Sequence, residues 1–152
     1  MYSSDSRSVS SLYYLTLDQA VDIHRITVEV SGGGALGILD TGKLESVLCH
    51  MQNDDYYPTF ADKLAHLFFC TCQFHCFQDG NKRIAIALSA DFLLKNGYLF
   101  IVPGFIRKME NISYHVAAGS IDKDLLHEII VAILDGDDDN ELLKLKIIQA
   151  IS

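Results

Sequence analysis

The sequence predicts an all-α domain of about six or seven helices around a central helix-loop-helix, and three observations support this. Apolar residues recur every three or four positions through most of the chain, which is the period of an amphipathic helix. Capping residues and glycines separate these apolar segments, as they do at helix ends. A polar segment of nine residues, 75–83, joins two of the helices near the middle of the chain.

Helix-start signals set approximate bounds for the elements. Thr16-x-x-Gln19 forms a capping box for the first helix. Thr59 can cap the third helix, with Asp62 in its first turn. The predicted helices are 16–30, 44–51, 59–74, 81–95, 105–118, 120–134 and 141–151.

Helix-end signals divide the second half of the chain. Asn96-Gly97 and Gly119 are typical C-terminal caps, and Ser120 is the expected N-cap of the next helix. Pro103-Gly104 is expected to end a short connector, extended or buried, before a fifth helix that starts at Phe105. Residues 31–39 are rich in glycine and are expected to form turns rather than a phosphate-binding P-loop.

Length and charge limit the classes of function. The chain has 152 residues, so we expect one domain over 12–152 and a flexible, Ser-rich N-terminus over 1–11. Its net charge of -8 lacks the basic surface of a nucleic-acid-binding protein, so no nucleic-acid partner is expected. With no apolar run of membrane-spanning length and no signal-peptide core, we expect a cytoplasmic protein without a membrane partner.

The four cysteines are Cys49, Cys70, Cys72 and Cys76. Reduced cysteines behave as small hydrophobic side chains and are usual in the cytoplasm. A zinc site that includes His75 is an alternative, but Cys70 and Cys72 are two positions apart on a helix and would point in different directions. We therefore favour a structural role for the cysteines.

The central segment, His75 to Arg83, reads His-Cys-Phe-Gln-Asp-Gly-Asn-Lys-Arg. Gly80 allows a sharp turn, so the amides of Asn81, Lys82 and Arg83 would point outward from the start of the next helix. Such a helix N-terminus binds anions, and phosphate is the natural ligand. The two cations oppose the helix dipole unless an anion is bound there.

Two other residues of this segment suggest catalytic chemistry. Asp79 could hold a Mg²⁺ that bridges phosphates, since Mg²⁺ takes one or two carboxylates together with phosphate oxygens. His75 could accept a proton from an attacking hydroxyl group. A lone histidine before a turn is more often structural, and Asp79-Gly80-Asn81 alone is an ordinary turn. Their combination in one short segment favours an active site.

This segment closely resembles the signature of the Fic/Doc family, roughly His-x-Phe-x-(Asp/Glu)-(Gly/Ala)-Asn-(Gly/Lys)-Arg between two central helices. Members of that family transfer part of a nucleotide to a hydroxyl side chain of a protein. The resemblance implies a helical bundle around the active loop and extends over most of the chain. Further positions that fit Doc-type members are Ile23-His24, Gly32-Gly33, Gly37-Ile38, Asp40, Gly42 to Ser46, Tyr57-Pro58, Phe92-Leu93 and Asn96-Gly97.

Two positions of the chain resemble the Doc pattern within the family. Lys82 stands where adenylylating members usually have Gly, and Ile86 stands where they have a second Arg. The resemblance therefore implies a toxin that transfers the γ-phosphate of ATP to a Ser or Thr hydroxyl of a target protein, with translation elongation factor Tu as the implied target. Two alternatives stay open: an adenylyltransferase that leaves AMP on its target, and a non-catalytic nucleotide-binding or interaction module.

The resemblance also assigns roles within the active segment. His75 would be the general base, Asp79 the Mg²⁺ ligand, and Lys82 with Arg83 the groups that stabilise charge. Asn81 and the backbone from Gly80 onward would cradle the phosphates.

The resemblance further implies two protein partners. Tyr56, Tyr57 and Pro58 would belong to a flap that aligns the target by strand addition, although a plain interhelical loop is an equal alternative. The inhibitory motif (Ser/Thr)-x-x-x-Glu-(Gly/Asn) is absent from the sequence, because Glu110-Asn111 follows Ile106 rather than Ser or Thr. A separate antitoxin is therefore expected, and the carboxy-terminal helices are a candidate surface for it.

Overall fold

The computed structural model describes residues 11–30, 40–73 and 81–152, without the side chain of Asn81. Several sequence predictions fall outside these ranges. They concern the N-terminal ten residues, the glycine-rich segment 31–39, the end of the third helix at Phe74, and residues 74–80, which include His75, Cys76, Asp79 and Gly80.

The described residues form seven helices and contain no strand, which confirms the predicted all-α class. The chain reaches the central pair, α3 and α4, after two shorter helices, and three more helices come after it. The bounds are α1 Leu17–Val30, α2 Thr41–His50, α3 Phe60–Gln73, α4 Asn81–Lys95, α5 Val102–Ala117, α6 Lys123–Asp135 and α7 Glu141–Ile151.

Two of the three predicted N-terminal caps, Thr16 and Thr59, are present. The Gln19 amide donates to Thr16 Oγ1 at 3.1 Å, and the Thr16 amide donates to Gln19 Oε1 at 3.1 Å. Thr59 and Asp62 form the same reciprocal pair before α3, at 3.1 and 3.0 Å. These bonds satisfy amides that have no partner within the helix. The two capping motifs therefore predicted the starts of α1 and α3 correctly.

Three helix starts differ from the prediction. α2 begins at Thr41 rather than Leu44, because Asp40 caps it: the Asp40 carboxylate accepts from the Lys43 amide at 3.0 Å. α5 begins at Val102 rather than Phe105, with Pro103 in its first turn. Proline has no amide hydrogen to lose there and its fixed φ suits a first turn, so Pro103-Gly104 starts a helix instead of ending a connector. α6 begins at Lys123, and its N-cap is Asp122 rather than Ser120, because the Asp122 carboxylate accepts from the Leu125 amide at 2.8 Å.

α3 and α4 lie at the centre of the bundle. α3 contacts α2, α4, α5 and α6, α4 also contacts α1 and α5, and α7 packs on α6. Phe60 at the start of α3 stacks on Phe92, in the last turn of α4, and on Tyr98, which follows that helix, with both centroid distances 4.7 Å. The two central helices are therefore antiparallel, and segment 74–80 connects the end of α3 to the start of α4.

None of the helices in the described part of the chain is long and apolar enough to cross a membrane.

Candidate active site

The N-terminus of α4 is the feature around which a site can be built. The helix begins at Asn81, and both Lys82 and Arg83 are exposed in its first turn, which contains no acidic residue. Among the described residues, neither cation forms an ion pair with a carboxylate. The first amides of a helix have no partner within it, so this end combines such amides with two positive charges. That arrangement suits an anion.

The next two residues of α4 explain why the cations face outward. Ile84 and Ala85 are fully buried in the core. They fix the first turns of α4 in place, so the side chains of Lys82 and Arg83 are left on the surface. The start of α4 is therefore a firmly supported part of the bundle.

The end of α3 lies beside this turn. Burial raises the pKa of Cys72 to about 12, and the positive charge of Lys82 acts weakly in the opposite direction. The Cys72 thiol is therefore protonated at neutral pH and serves as a small core side chain, as predicted. Cys70 is also buried. Within the described part of the chain, no three His, Cys, Asp or Glu side chains are placed to hold a metal ion.

Gln73, the last residue of α3, links this helix to α5. Its side-chain Nε2 donates to the backbone oxygen of Val116 at 2.6 Å. No sequence signal identifies this residue, since a single glutamine at a helix end has no distinguishing pattern. The segment from 74 to 80 thus runs between one helix end tied to α5 and one helix start anchored in the core.

The predicted site residues fall into two groups. His75, Asp79 and Gly80 lie outside the described residues, and so does the side chain of Asn81, so their roles stay predictions. Lys82 and Arg83 lie together at the start of α4, where the sequence predicted them.

Tyr56, Tyr57 and Pro58 lie in the connector before α3, and the Tyr57 ring packs on His66, about halfway along that helix, at a centroid distance of 4.2 Å. α3 has 14 residues, and a helix of that length spans about 20 Å. Tyr56 is 78% exposed. None of the contacts described for these three residues involves Lys82 or Arg83, so the target-binding role of the flap stays a prediction.

The connector that contains these tyrosines is a compact turn. The side-chain oxygen of Asn53 accepts from the amides of Asp55 and Tyr56, at 2.9 and 3.3 Å, and the Tyr57 amide donates to the Asn53 carbonyl at 2.9 Å. Strand addition needs such amides to be free for the incoming peptide. In this conformation they are already used, so side chains are the groups that the connector offers to a partner.

A buried lysine holds the connector against α3. The Lys63 side chain is fully buried, and its Nζ donates to the Met51 carbonyl at 2.9 Å and to the Asp54 carboxylate at 2.8 Å. Buried charges need such partners because the loss of hydration is costly. Lys63 thereby fixes the start of the connector to the first turns of its helix.

A second cluster holds the other end of the connector. Lys123 Nζ lies 3.0 Å from His66 Nδ1 and 5.1 Å from the centre of the Tyr57 ring. Burial lowers the pKa of His66 to about 4, and the charges of Lys123 and His50 contribute to the lowering. His66 is therefore neutral at neutral pH, and its Nδ1 can accept a hydrogen bond from the Lys123 ammonium. These residues are far apart in sequence, so no motif could have indicated the cluster.

Two of three comparisons with known proteins found a match. The sequence model of the Fic/DOC family matches residues 14–93, which include α1 to α3 and most of α4. The chain is also similar to a "Toxin Doc" from Mycolicibacterium smegmatis, with 31% identity over 99 residues, 62% of this chain and 76% of that protein. No solved structure matches the chain. The family match covers more than half of the sequence, and the chain therefore belongs to the Fic/DOC family.

Proposed function

We propose that this protein is a Doc-like toxin that transfers the γ-phosphate of ATP to a Ser or Thr hydroxyl of a target protein. The observation that supports the proposal best is the start of α4, where Lys82 and Arg83 are exposed beside amides that have no partner within the helix. A nucleotide phosphate is the anion that fits such an end. The similarity to a protein named Toxin Doc supports the biological role.

The phosphates would be bound by groups from one short segment. Asn81 and the first amides of α4 would donate hydrogen bonds to the phosphate oxygens, and Lys82 and Arg83 would balance their charge. Local charges can do this in a chain of net charge -8, because a helix N-terminus and two adjacent cations dominate the potential at that point.

The chemical step would use residues that precede the helix. His75 would accept the proton of the target hydroxyl as its oxygen bonds to the γ-phosphorus, while the bond from that phosphorus to the β-phosphate oxygen breaks and ADP leaves. Asp79 would hold Mg²⁺, which supplies positive charge to the phosphate oxygens when bound. A single carboxylate next to a phosphate site suits Mg²⁺, because this ion completes its shell with water and phosphate.

Ile86 favours phosphate transfer over AMP transfer. Adenylylating relatives resemble this chain but carry a second Arg at this position, which helps seat the distal phosphates. Here Ile86 is buried in the core, with 9% of its surface exposed. The first turns of α4 therefore offer Lys82 and Arg83 as cations but no third one at this position, as in the Doc pattern.

The proposed partners come from the same resemblance. Elongation factor Tu is the proposed target, and the cytoplasm is the proposed location. A separate antitoxin would restrain the toxin, since the sequence lacks the inhibitory motif of the family. Glu110, the only Glu followed by Gly or Asn, is exposed on α5.

Intact-mass analysis would test the reaction. Elongation factor Tu is incubated with this protein, ATP and Mg²⁺, and we expect its mass to rise by one phosphate. His75→Ala should abolish the gain, whereas His115→Ala, which changes a half-buried histidine on α5, should leave it unchanged.

A second pair of variants tests the phosphate site. Arg83→Ala should slow transfer by about 10²-fold or more, because it removes charge stabilisation at the reacting phosphate. Arg107→Ala, an exposed arginine on α5, is the control. A gain of one AMP would instead identify an adenylyltransferase. If neither this target nor other bacterial proteins gain mass, both phosphate transfer and AMP transfer are contradicted. That result would favour the non-catalytic alternative.

A further inference from the structure

The hydrogen bond from Gln73 to Val116 lies where α3 ends and the active segment begins. At 2.6 Å it is short for a bond from a side-chain amide to a carbonyl. It joins residues 43 positions apart, and Val116 itself is fully buried. The bond therefore ties the last residue of α3 to the interior of another helix.

The acceptor is a well-fixed point of the fold. Val116 belongs to the last turn of α5, whose carbonyls have no partner further along the helix. Its oxygen also accepts from the Gly119 amide at 3.1 Å, and the Ser120 amide closes the turn on the His115 oxygen at 2.9 Å. Gly119 has a φ of 85°, a left-handed conformation that suits glycine at a helix end. Gln73 adds a side-chain donor to a carbonyl that already accepts from backbone amides of the helix cap.

This bond matters because the proposed catalytic base lies close to it in the chain. His75 is two residues after Gln73, so their Cα atoms are at most about 7 Å apart. At the other end of the active segment, Ile84 and Ala85 fix the start of α4 in the core. A shift at the end of α3 would therefore move the His75 end of the segment relative to Lys82 and Arg83.

We propose that Gln73 is a positioning residue for the transfer reaction, which holds the end of α3 against α5 so that the active segment starts from a fixed point. The inference rests on the proposed function for its catalytic consequence. Displacement of a catalytic group by about 1 Å can slow a reaction by about 10²-fold. The role of Gln73 is to prevent such a displacement, without contact with the nucleotide or the target.

Gln73→Glu is the sharpest variant, because the carboxylate has the size of the amide but cannot donate a hydrogen bond when ionised. We expect kcat to fall by about 10-fold or more while KM for ATP changes by less than about 3-fold. Gln73→Lys restores a donor at the tip of the side chain and should recover most of kcat. If Gln73→Glu folds poorly, Gln73→Leu is a second variant that removes the side-chain donor.

Two controls separate positioning from general stability. Gln52 donates its side-chain amide to the Leu48 carbonyl at 3.2 Å, before the opposite end of α3. Phe105 packs against Phe68 between α3 and α5, at a centroid distance of 6.3 Å. Gln52→Glu removes a similar bond elsewhere, and Phe105→Leu loosens the same helix pair away from its end. We expect kcat within about 3-fold of wild type for each variant once it is folded.

Amide hydrogen exchange of the full-length protein tests the inference without any assay of the reaction. Exchange in the peptide that contains residues 74–80 should be at least about 10-fold faster in Gln73→Glu than in wild type, and unchanged in Gln52→Glu. Equal exchange in all variants, or equal loss of kcat in the controls, would overturn the positioning role. Faster exchange in Gln73→Glu together with no transfer activity in wild type would refute the proposed function alone.

Discussion

His66 shows how one buried residue reports its surroundings. Only 6% of its surface is exposed, its ring packs on Tyr57 at a centroid distance of 4.2 Å, and its Nδ1 faces the ammonium of Lys123. A histidine in that place is stable only when neutral, because a second positive charge would lie against the lysine. The residue is thus a fixed acceptor in the fold rather than a titrating group at neutral pH.

The low pKa of His66 predicts a loss of stability in mild acid. Its pKa in the folded protein is about 4, below the ordinary 6.5. Between these values the unfolded chain binds more protons than the folded one, so the free energy of unfolding falls as pH falls through this window. His66→Gln should reduce that fall by about 1 kcal/mol or more. Urea unfolding at a series of pH values from neutral to mildly acidic would measure it.

The control for this prediction is His115→Gln, which changes a histidine outside the cluster. The pKa of His24 is also lowered by burial, so some dependence on pH should persist in His66→Gln. An unchanged fall in stability between neutral and acid pH in His66→Gln would show that Lys123 and burial do not hold this ring neutral.

At the scale of elements, helix starts depend on which polar residue can reach the first amides. Ser120 and Asp122 are two positions apart and both are good N-cap types. In the structure the Ser120 amide is used to close α5, on the His115 carbonyl. Asp122 comes after that closure, with an extended backbone at φ -82° and ψ 177°, and caps α6.

Removal of the α6 cap should therefore destabilise the protein. Asp122→Ala should lower the free energy of unfolding by about 0.5–2 kcal/mol, the usual value of an N-cap. Ser120→Ala should change it by less than about 0.5 kcal/mol, since that side chain is exposed and is not the N-cap of α6. Urea unfolding of both variants would compare the two positions, and a larger loss in Ser120→Ala would refute the assignment of the cap.

At the scale of the whole molecule, an aromatic stack closes the bundle at the end opposite the candidate site. Phe92 is fully buried and stacks on Phe60 and on Tyr14, at centroid distances of 4.7 and 5.9 Å. It thereby joins α3, α4 and the segment before α1. This end supplies stability, while the other end of the central helices presents the exposed cations.

Loss of the Phe92 ring should weaken the entire fold. Phe92→Ala should lower the free energy of unfolding by about 3–5 kcal/mol, because it leaves a cavity in the core. Phe100→Ala is the matched control. Phe100 is 97% exposed, so its loss should cost less than about 0.5 kcal/mol. Thermal or urea unfolding would measure both, and comparable effects would mean that the stack does not support the bundle.

Local patterns explain which parts of the fold the sequence could predict. The capping boxes at Thr16 and Thr59 involve residues three apart, so the sequence contains the complete interaction. The start of α5 was misjudged because Pro-Gly is compatible with both a stop and a first turn. Ser120 and Asp122 are both favourable N-cap residues, so residue type could not separate them. The choice depended on where α5 ends, which the cap preferences of single residues do not indicate.

For the candidate site, the sequence by itself determined which residue types are available: the segment from His75 to Arg83 contains a histidine, an aspartate, a Gly-Asn pair and two cations. Only the tertiary structure decided which groups lie together. It placed Lys82 near Cys72 in the last turn of α3, tied Gln73 to Val116 and packed the Tyr57 ring on His66. The physical reason is that motif residues are joined by the chain, whereas contacts between helices form only when the whole core packs.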